Sequence, residues 1–272
     1  MDAPPPPPPP ESGGFPRWPL WLPVAGLAAG LTFGLLSVSI LAGVLGAAGV
    51  KTDAGSPGLT AAGTVIVDVS IVVATLLFAG LVARPRPWHL GLRRAPLKFT
   101  AGVAAMGILA FFLFSLVYAA IVQPDEPQKV VDDLGANTNT LLLVAGALVV
   151  IVVAPVCEEL FFRGFLYRVL RLRMAFWAAA LIDGLLFGLV HASSTSLAAL
   201  PILAFLGIVF CYVYERTGTL FATIAMHALN NTISYGVATD NGWIAALSIG
   251  GAMLAVCVVG VLRAPQGVPA PA

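Results

Sequence analysis

Of the 272 residues, 59% are hydrophobic and only 10% are charged, with a formal net charge of +1 and a mean hydropathy of +0.95. An average soluble domain carries about a quarter charged residues, so a water-soluble globule, a nucleic-acid binder relying on a basic face and a disordered chain are excluded. The composition leaves an all-α, polytopic membrane protein.

The first 18 residues read as a Pro-rich tail. Seven consecutive prolines, Pro4 to Pro10, favour polyproline II, and no basic stretch precedes them as it would in a cleavable signal peptide. Eight apolar segments follow, at 20–49, 61–83, 99–122, 140–170, 175–192, 197–214, 219–238 and 242–262. Each approaches the roughly 20 residues that cross a hydrocarbon core. The expected organisation is a tail at 1–18, transmembrane helices at 19–138, a core at 139–240, a last transmembrane helix at 241–263 and a second loose tail at 264–272. Pro155 and Pro201 are expected to kink their helices, and the amphipathic stretch 163–171 to form a cytoplasmic extension or interfacial turn.

Loop charge gives the orientation. If the loop at 84–98 is cytoplasmic, eight spans place both termini inside. Twelve of the 14 basic residues then lie inside, and only Lys51 and Lys129 outside. The outer loop is acidic, with Asp125, Glu126, Asp132 and Asp133. Trp18, Trp21, Trp177 and Trp243 fall near span ends and read as interfacial anchors. Cys157, Cys211 and Cys257 lie in apolar runs with no CxxC spacing, which gives buried free thiols and no disulfide framework.

Ionisable groups inside a membrane are costly and mark a site by default. Here they are Asp68, Glu158, Glu159, Asp183, His191 and His227, with Asn230 and Asn231 beside the last. His89, in the basic loop, reads as solvated. Glu159 and Arg163 are four residues apart and can pair on one helix face, which leaves Glu158 without a local partner. Phe187 and His191 share that spacing, as do His227 and Asn231. At about 1.5 Å per residue, Glu158, His191, His227 and Asn231 fall at similar depths in their helices. Asp68 and Asp183 are expected to be hydrogen-bonded polar glue, with lining of the cavity as the alternative, and Phe187 a packing residue.

Two chemistries suit this set. A carboxylate and an imidazole converging on one water can generate a nucleophile for an amide carbonyl, with a second imidazole and an amide donating to the oxyanion. Alternatively, Glu158, His191 and His227 are the ligand types of a His2Glu zinc site. Either reading gives peptide-bond hydrolysis.

The motifs at these positions are Glu158-Glu159-Leu160-Phe161-Phe162-Arg163 (EExxxR), Phe187 to His191 (FxxxH) and His227 to Asn231 (HxxxN). In this order, each on an apolar helix, they resemble the CPBP intramembrane protease family, which includes type II CAAX prenyl endopeptidases and bacterial Abi-type immunity proteins. The resemblance covers about 141–235. It implies Glu158 as the water-activating carboxylate assisted by His191, His227 and Asn231 as oxyanion stabilisers, and Glu159 and Arg163 as supporting partners. It leaves zinc and a metal-free mechanism both open. An acid at Asp183 departs from the small or hydroxyl residue expected there. The implied substrate is a prenylated CaaX-type tail or a membrane-associated peptide; the implied partners are membrane lipid and a peptide or protein substrate, with no nucleic acid. The rival functions are a proton-coupled transporter, against which the lack of an evident inverted repeat argues, and a non-catalytic immunity or scaffold protein. HExxH, GxGD and GxSG motifs of other intramembrane proteases are absent.

Overall fold

A computed structural model describes residues 16–50, 56–124 and 130–266. The proline run, Lys51, Lys129, Asp125 and Glu126 lie outside the described residues, as does most of the C-terminal tail. Among the described residues there is no strand. Each of the eight predicted segments forms a helix: α1 Trp21–Ala47, α2 Pro57–Gly80, α3 Leu97–Val122, α4 Thr140–Arg171, α5 Phe176–Leu189, α6 Leu200–Thr217, α7 Leu220–Ala238 and α8 Trp243–Arg263. The protein is a multi-pass membrane protein. Six of these helices, α1 to α4, α6 and α8, are long and apolar enough to cross a membrane. The expected count of eight reduces to six by that measure for two reasons. Helix α5 has only 14 residues, and α7 carries His227, Asn230, Asn231 and two threonines, which lower its hydropathy.

Helix α4 is the hub. It packs against α2, α5, α6, α7 and α8, while α1 leans on α2 alone among the strong contacts. Leucines and valines of α1, α2, α3 and α8 remain exposed, as a lipid-facing surface requires, because lipid tails solvate them and backbone polar groups are satisfied inside each helix.

The hub is not a uniform α-helix. Two π-helical turns, Val149–Val153 and Phe162–Tyr167, flank the α-helical turn Ala154–Phe161 that carries Glu158 and Glu159. Pro155 accounts for the first. It has no N–H to give the preceding turn, and the Ala154 N–H reaches back to the Val149 carbonyl instead. Single π turns of this kind recur at functional sites. The stretch expected as an interfacial extension is instead buried helix: residues 162–167 are all inaccessible, because α6 and the 3-10 turn Pro87–Leu90 cover them. Arg163, counted among the loop cations from sequence, is therefore an interior residue. Pro201 sits in the first turn of α6 and starts that helix rather than kinking it.

Two aromatic expectations also change. Trp18 is only 1% exposed. Its indole N–H donates to the Ala79 carbonyl at 3.1 Å, its ring meets Phe165 edge-on at 5.0 Å, and Arg173 holds its carbonyl at 2.8 Å. It is a core residue joining α2 to α4, not an interfacial anchor, and the chain at Trp18 is not tail. His89 is buried beside Trp18 and Trp88 rather than solvated. Trp21, Trp177 and Trp243 are exposed, as anchors should be.

Helices α5 and α6 approach through glycines. A Cβ on Gly207 would lie 2.7 Å from the Gly184 Cα and 3.3 Å from the Arg163 Nη2. Small residues at such crossings allow backbone approach without side chains between. Gly207→Ala is expected to destabilise the protein by about 1–3 kcal/mol through overpacking, read as a lower unfolding midpoint in detergent. An unchanged midpoint would show that the two helices can separate freely.

Candidate functional site

The three motifs meet where α4, α5 and α7 face one another, and two layers can be distinguished. The inner layer is a buried charge cluster. Arg163 bonds Glu159 Oε1 through Nη1 at 2.9 Å and the Gly207 carbonyl through Nη2 at 3.0 Å. Its Nε lies 3.5 Å from Asp183 Oδ1. All three side chains have no exposure. The guanidinium also lies 4.5 Å from the Phe187 ring and 4.8 Å from the Phe210 ring, where the negative face of each ring attracts a cation. Asp183 further accepts from the Cys211 thiol at 3.2 Å. The polar-glue expectation fits Asp183, and Phe187 packs the site rather than reacting in it.

The inner layer holds the outer one in place. Glu159 Oε1 accepts from His227 Nδ1 at 3.2 Å, which leaves Nε2 as the remaining polar atom of that ring. The ring is stacked on Phe210 at 5.1 Å. Glu159 thus positions both Arg163 and His227.

The outer layer lines a cavity of about 300 Å³ whose wall includes Asp68, Cys157, Glu158, His191, His227, Asn230 and Asn231. Glu158 points away from the Arg163 cluster, as the 100° step between adjacent helix residues dictates. Its Oε2 lies 3.8 Å from His191 Nε2, with each side chain about one-fifth exposed. His191 is not within its helix. Helix α5 ends at Leu189, and His191 sits in the following turn. Its Nδ1 is 2.7 Å from the Phe187 carbonyl. A carbonyl only accepts, so Nδ1 carries a proton and Nε2 is the ring atom that faces Glu158.

Asn231 answers the backbone defect made by Pro155. In the π register the carbonyl of Val150 faces residue 155, which has no N–H, and Asn231 Nδ2 donates to that carbonyl at 2.8 Å. The Asn231 carbonyl accepts from Asn230 at 3.2 Å. One amide N–H of Asn231 remains for a ligand in the cavity.

Sequence reasoning therefore named four groups, Glu158, His191, His227 and Asn231, that the fold brings together on one cavity, and placed Glu159 and Arg163 behind them. It did not assign Asp68 to the site. This acid comes from α2, lines the same cavity and has a buried Oδ2 with no hydrogen-bond partner, so it is not hydrogen-bonded glue at that atom. Cys157 is a half-buried cavity residue rather than a fully buried thiol.

Among the described residues, no group of three or more His, Cys, Asp and Glu side chains is arranged to hold a metal ion. Glu158 and His191 form a pair, while His227 is held at Nδ1 by Glu159 and keeps Nε2 as its remaining donor atom. The Glu158, His191 and His227 ligand set does not assemble in this arrangement.

Comparison with known proteins agrees with the position of these motifs. The family model described as type II CAAX prenyl endopeptidase Rce1-like matches residues 140–233. Curated relatives include the "Putative membrane peptidase YdiL" of Bacillus subtilis (strain 168), 28% identical over 134 residues, 49% of each chain. An "Uncharacterized 24.3 kDa protein" of Escherichia coli is 29% identical over 168 residues, 60% of this chain and 75% of that one. The "Uncharacterized protein YyaK" of Bacillus subtilis (strain 168) is 31% identical over 137 residues, 47% of this chain and 44% of that one. The chain thus spans about half the length of the two Bacillus relatives. No solved structure matches it. Residues 140–233, which carry all three motifs and the hub helix, are thus similar to the type II CAAX prenyl endopeptidase Rce1-like family, and they lie within a multi-pass membrane protein.

Proposed function

We propose that this protein is an intramembrane endopeptidase that cleaves a peptide bond with a water activated by Glu158 and His191. The observation supporting this reading is the pairing of Glu158 with His191 Nε2 at the wall of the cavity. A separation of 3.8 Å is too long for a direct hydrogen bond and leaves both groups available to one water. Glu158 takes the proton as that water attacks the carbonyl carbon. His227, held at Nδ1 by Glu159, donates from Nε2 as an imidazolium to the developing oxyanion, and the free N–H of Asn231 donates beside it. Glu159 and Arg163 act through His227 and the helix packing. The substrate class in this reading is a prenylated CaaX-type tail or another membrane-associated peptide, and both termini lie on the cytoplasmic side by the loop-charge bias.

The test compares peptides from membranes holding the wild type with those holding Glu158→Ala. A peptide released only by the wild type supports the reading, and identical peptide sets contradict it. The donor arrangement also leads to an expectation about metals. Incubation with a strong zinc chelator should leave cleavage within twofold of its starting rate. Parallel loss of activity and of about one zinc per chain, by elemental analysis, would reinstate the ligand reading.

A further inference from the structure

Among the described residues, Asp68 is the intramembrane acid that neither the three motifs nor the Arg163 cluster uses, and it lies outside residues 140–233. Its helix, α2, packs directly on the segment of α4 that carries Glu158. Both acids line the same cavity, and each has a buried oxygen without a hydrogen-bond partner. The other titratable groups on that wall are Cys157, His191 and His227. Helix α1, the other element packed against α2, contributes Leu27 and Leu31 and has no ionisable residue. Glu158 has an imidazole facing it, whereas Asp68 has no cation within ion-pair distance among the described residues. Two carboxylates in one apolar cavity cannot both stay charged at low cost, and the one without a cation is the one that keeps a proton.

We propose that Asp68 is the second acid of this site: it holds a proton while Glu158 does not, and it delivers that proton to the amine leaving the scissile bond. This rests on the reading of Glu158 as the base. The steps balance as follows. Water adds its hydroxyl to the carbonyl carbon and its proton goes to Glu158. The C–N bond then breaks, its electron pair stays on nitrogen, and the Asp68 proton moves to that nitrogen. Glu158 finally returns its proton to Asp68, directly or along cavity water, which restores both acids. The net change is one amide bond and one water converted to an acid and an amine.

Infrared difference spectroscopy on the full-length protein in lipid vesicles at pH 7 tests the protonation directly and needs no substrate. Wild type minus Asp68→Asn should show loss of the carbonyl stretch of a protonated carboxylic acid. Asp68→Glu, which keeps the acid, should retain a shifted band of that type and also serves if the Asn variant folds poorly. Loss of only a carboxylate band would overturn the proposal. On a peptide that the wild type cleaves, Asp68→Asn should lower kcat by about 10²-fold or more with KM within threefold. An unchanged kcat would overturn the acid role while leaving Glu158 as base. An active Glu158→Gln protein would instead defeat the base reading, whatever the infrared result.

Discussion

Replacing Glu158 by Gln is expected to lower cleavage by about 10²–10⁴-fold, the usual contribution of a positioned general base, with no loss of folded protein. The two halves of this expectation have separate physical causes. Gln keeps the shape of the side chain but cannot take a proton from water, so the loss falls on kcat. Stability is spared because Glu158 Oε2 has no hydrogen-bond partner to lose and the side chain stands at the cavity wall rather than in the charge cluster. Neutralising a partly buried carboxylate with an unpartnered oxygen can even raise the unfolding midpoint, as when active-site strain is relieved. His191→Ala should also reduce kcat, but it removes the bond to the Phe187 carbonyl as well and so carries a modest stability cost, of about 1 kcal/mol. Measured kcat and thermal midpoint of the reconstituted variants separate these effects. A Glu158→Gln protein that cleaves at the wild-type rate would remove Glu158 from the reaction.

Replacing Arg163 by Ala is expected to act on folding first. The guanidinium bonds Glu159 and the Gly207 carbonyl and faces Asp183, all at zero exposure. Its removal leaves buried Asp183 with no cation and Glu159 with only the His227 ring, a change of the kind that typically costs about 3–5 kcal/mol. Lys should not rescue it, because a single ammonium cannot reproduce a planar fork that reaches three partners and stacks near two rings. The expected readout is a sharp fall in folded yield and midpoint for Arg163→Ala and Arg163→Lys. Arg163→Met combined with Glu159→Gln and Asp183→Asn should recover much of the stability, since breaking a buried pair costs more than replacing it whole. If the single Arg163→Ala variant folds like the wild type, the cluster does not carry the packing of α4 against α6.

The site was largely legible because its parts repeat at helical spacing. Glu159 and Arg163, and likewise His227 and Asn231, stand four residues apart, so their shared faces follow from 3.6 residues per turn. The relation of the three helices to one another follows from apolar length and similar depth. Three features were not legible, each for a local reason. His191 lies beyond its helix because α5 stops after 14 residues, and an apolar run that already contains Gly184 and Gly188 does not reveal which position ends it. The bond from Asn231 to Val150 depends on the π register imposed by Pro155, whereas a proline in sequence announces only a kink. Asp68 stands ninety positions before Glu158, and only the packing of α2 on α4 brings it to the cavity. The burial of Trp18 escaped for the same reason: tryptophan at a helix start reads as an anchor until the partner that covers it, here α2 and Phe165, is known.

The most direct measurement is the cleavage rate of one membrane peptide by three reconstituted proteins: wild type, Glu158→Gln and Cys157→Ala. Cys157 is the discriminating control, because it is the one thiol on the cavity wall and would be the nucleophile of a covalent mechanism. Cleavage is expected to be lost in Glu158→Gln and kept within threefold in Cys157→Ala. Retained activity in Glu158→Gln, or its loss in a folded Cys157→Ala protein, would contradict a reaction driven by a Glu158-activated water.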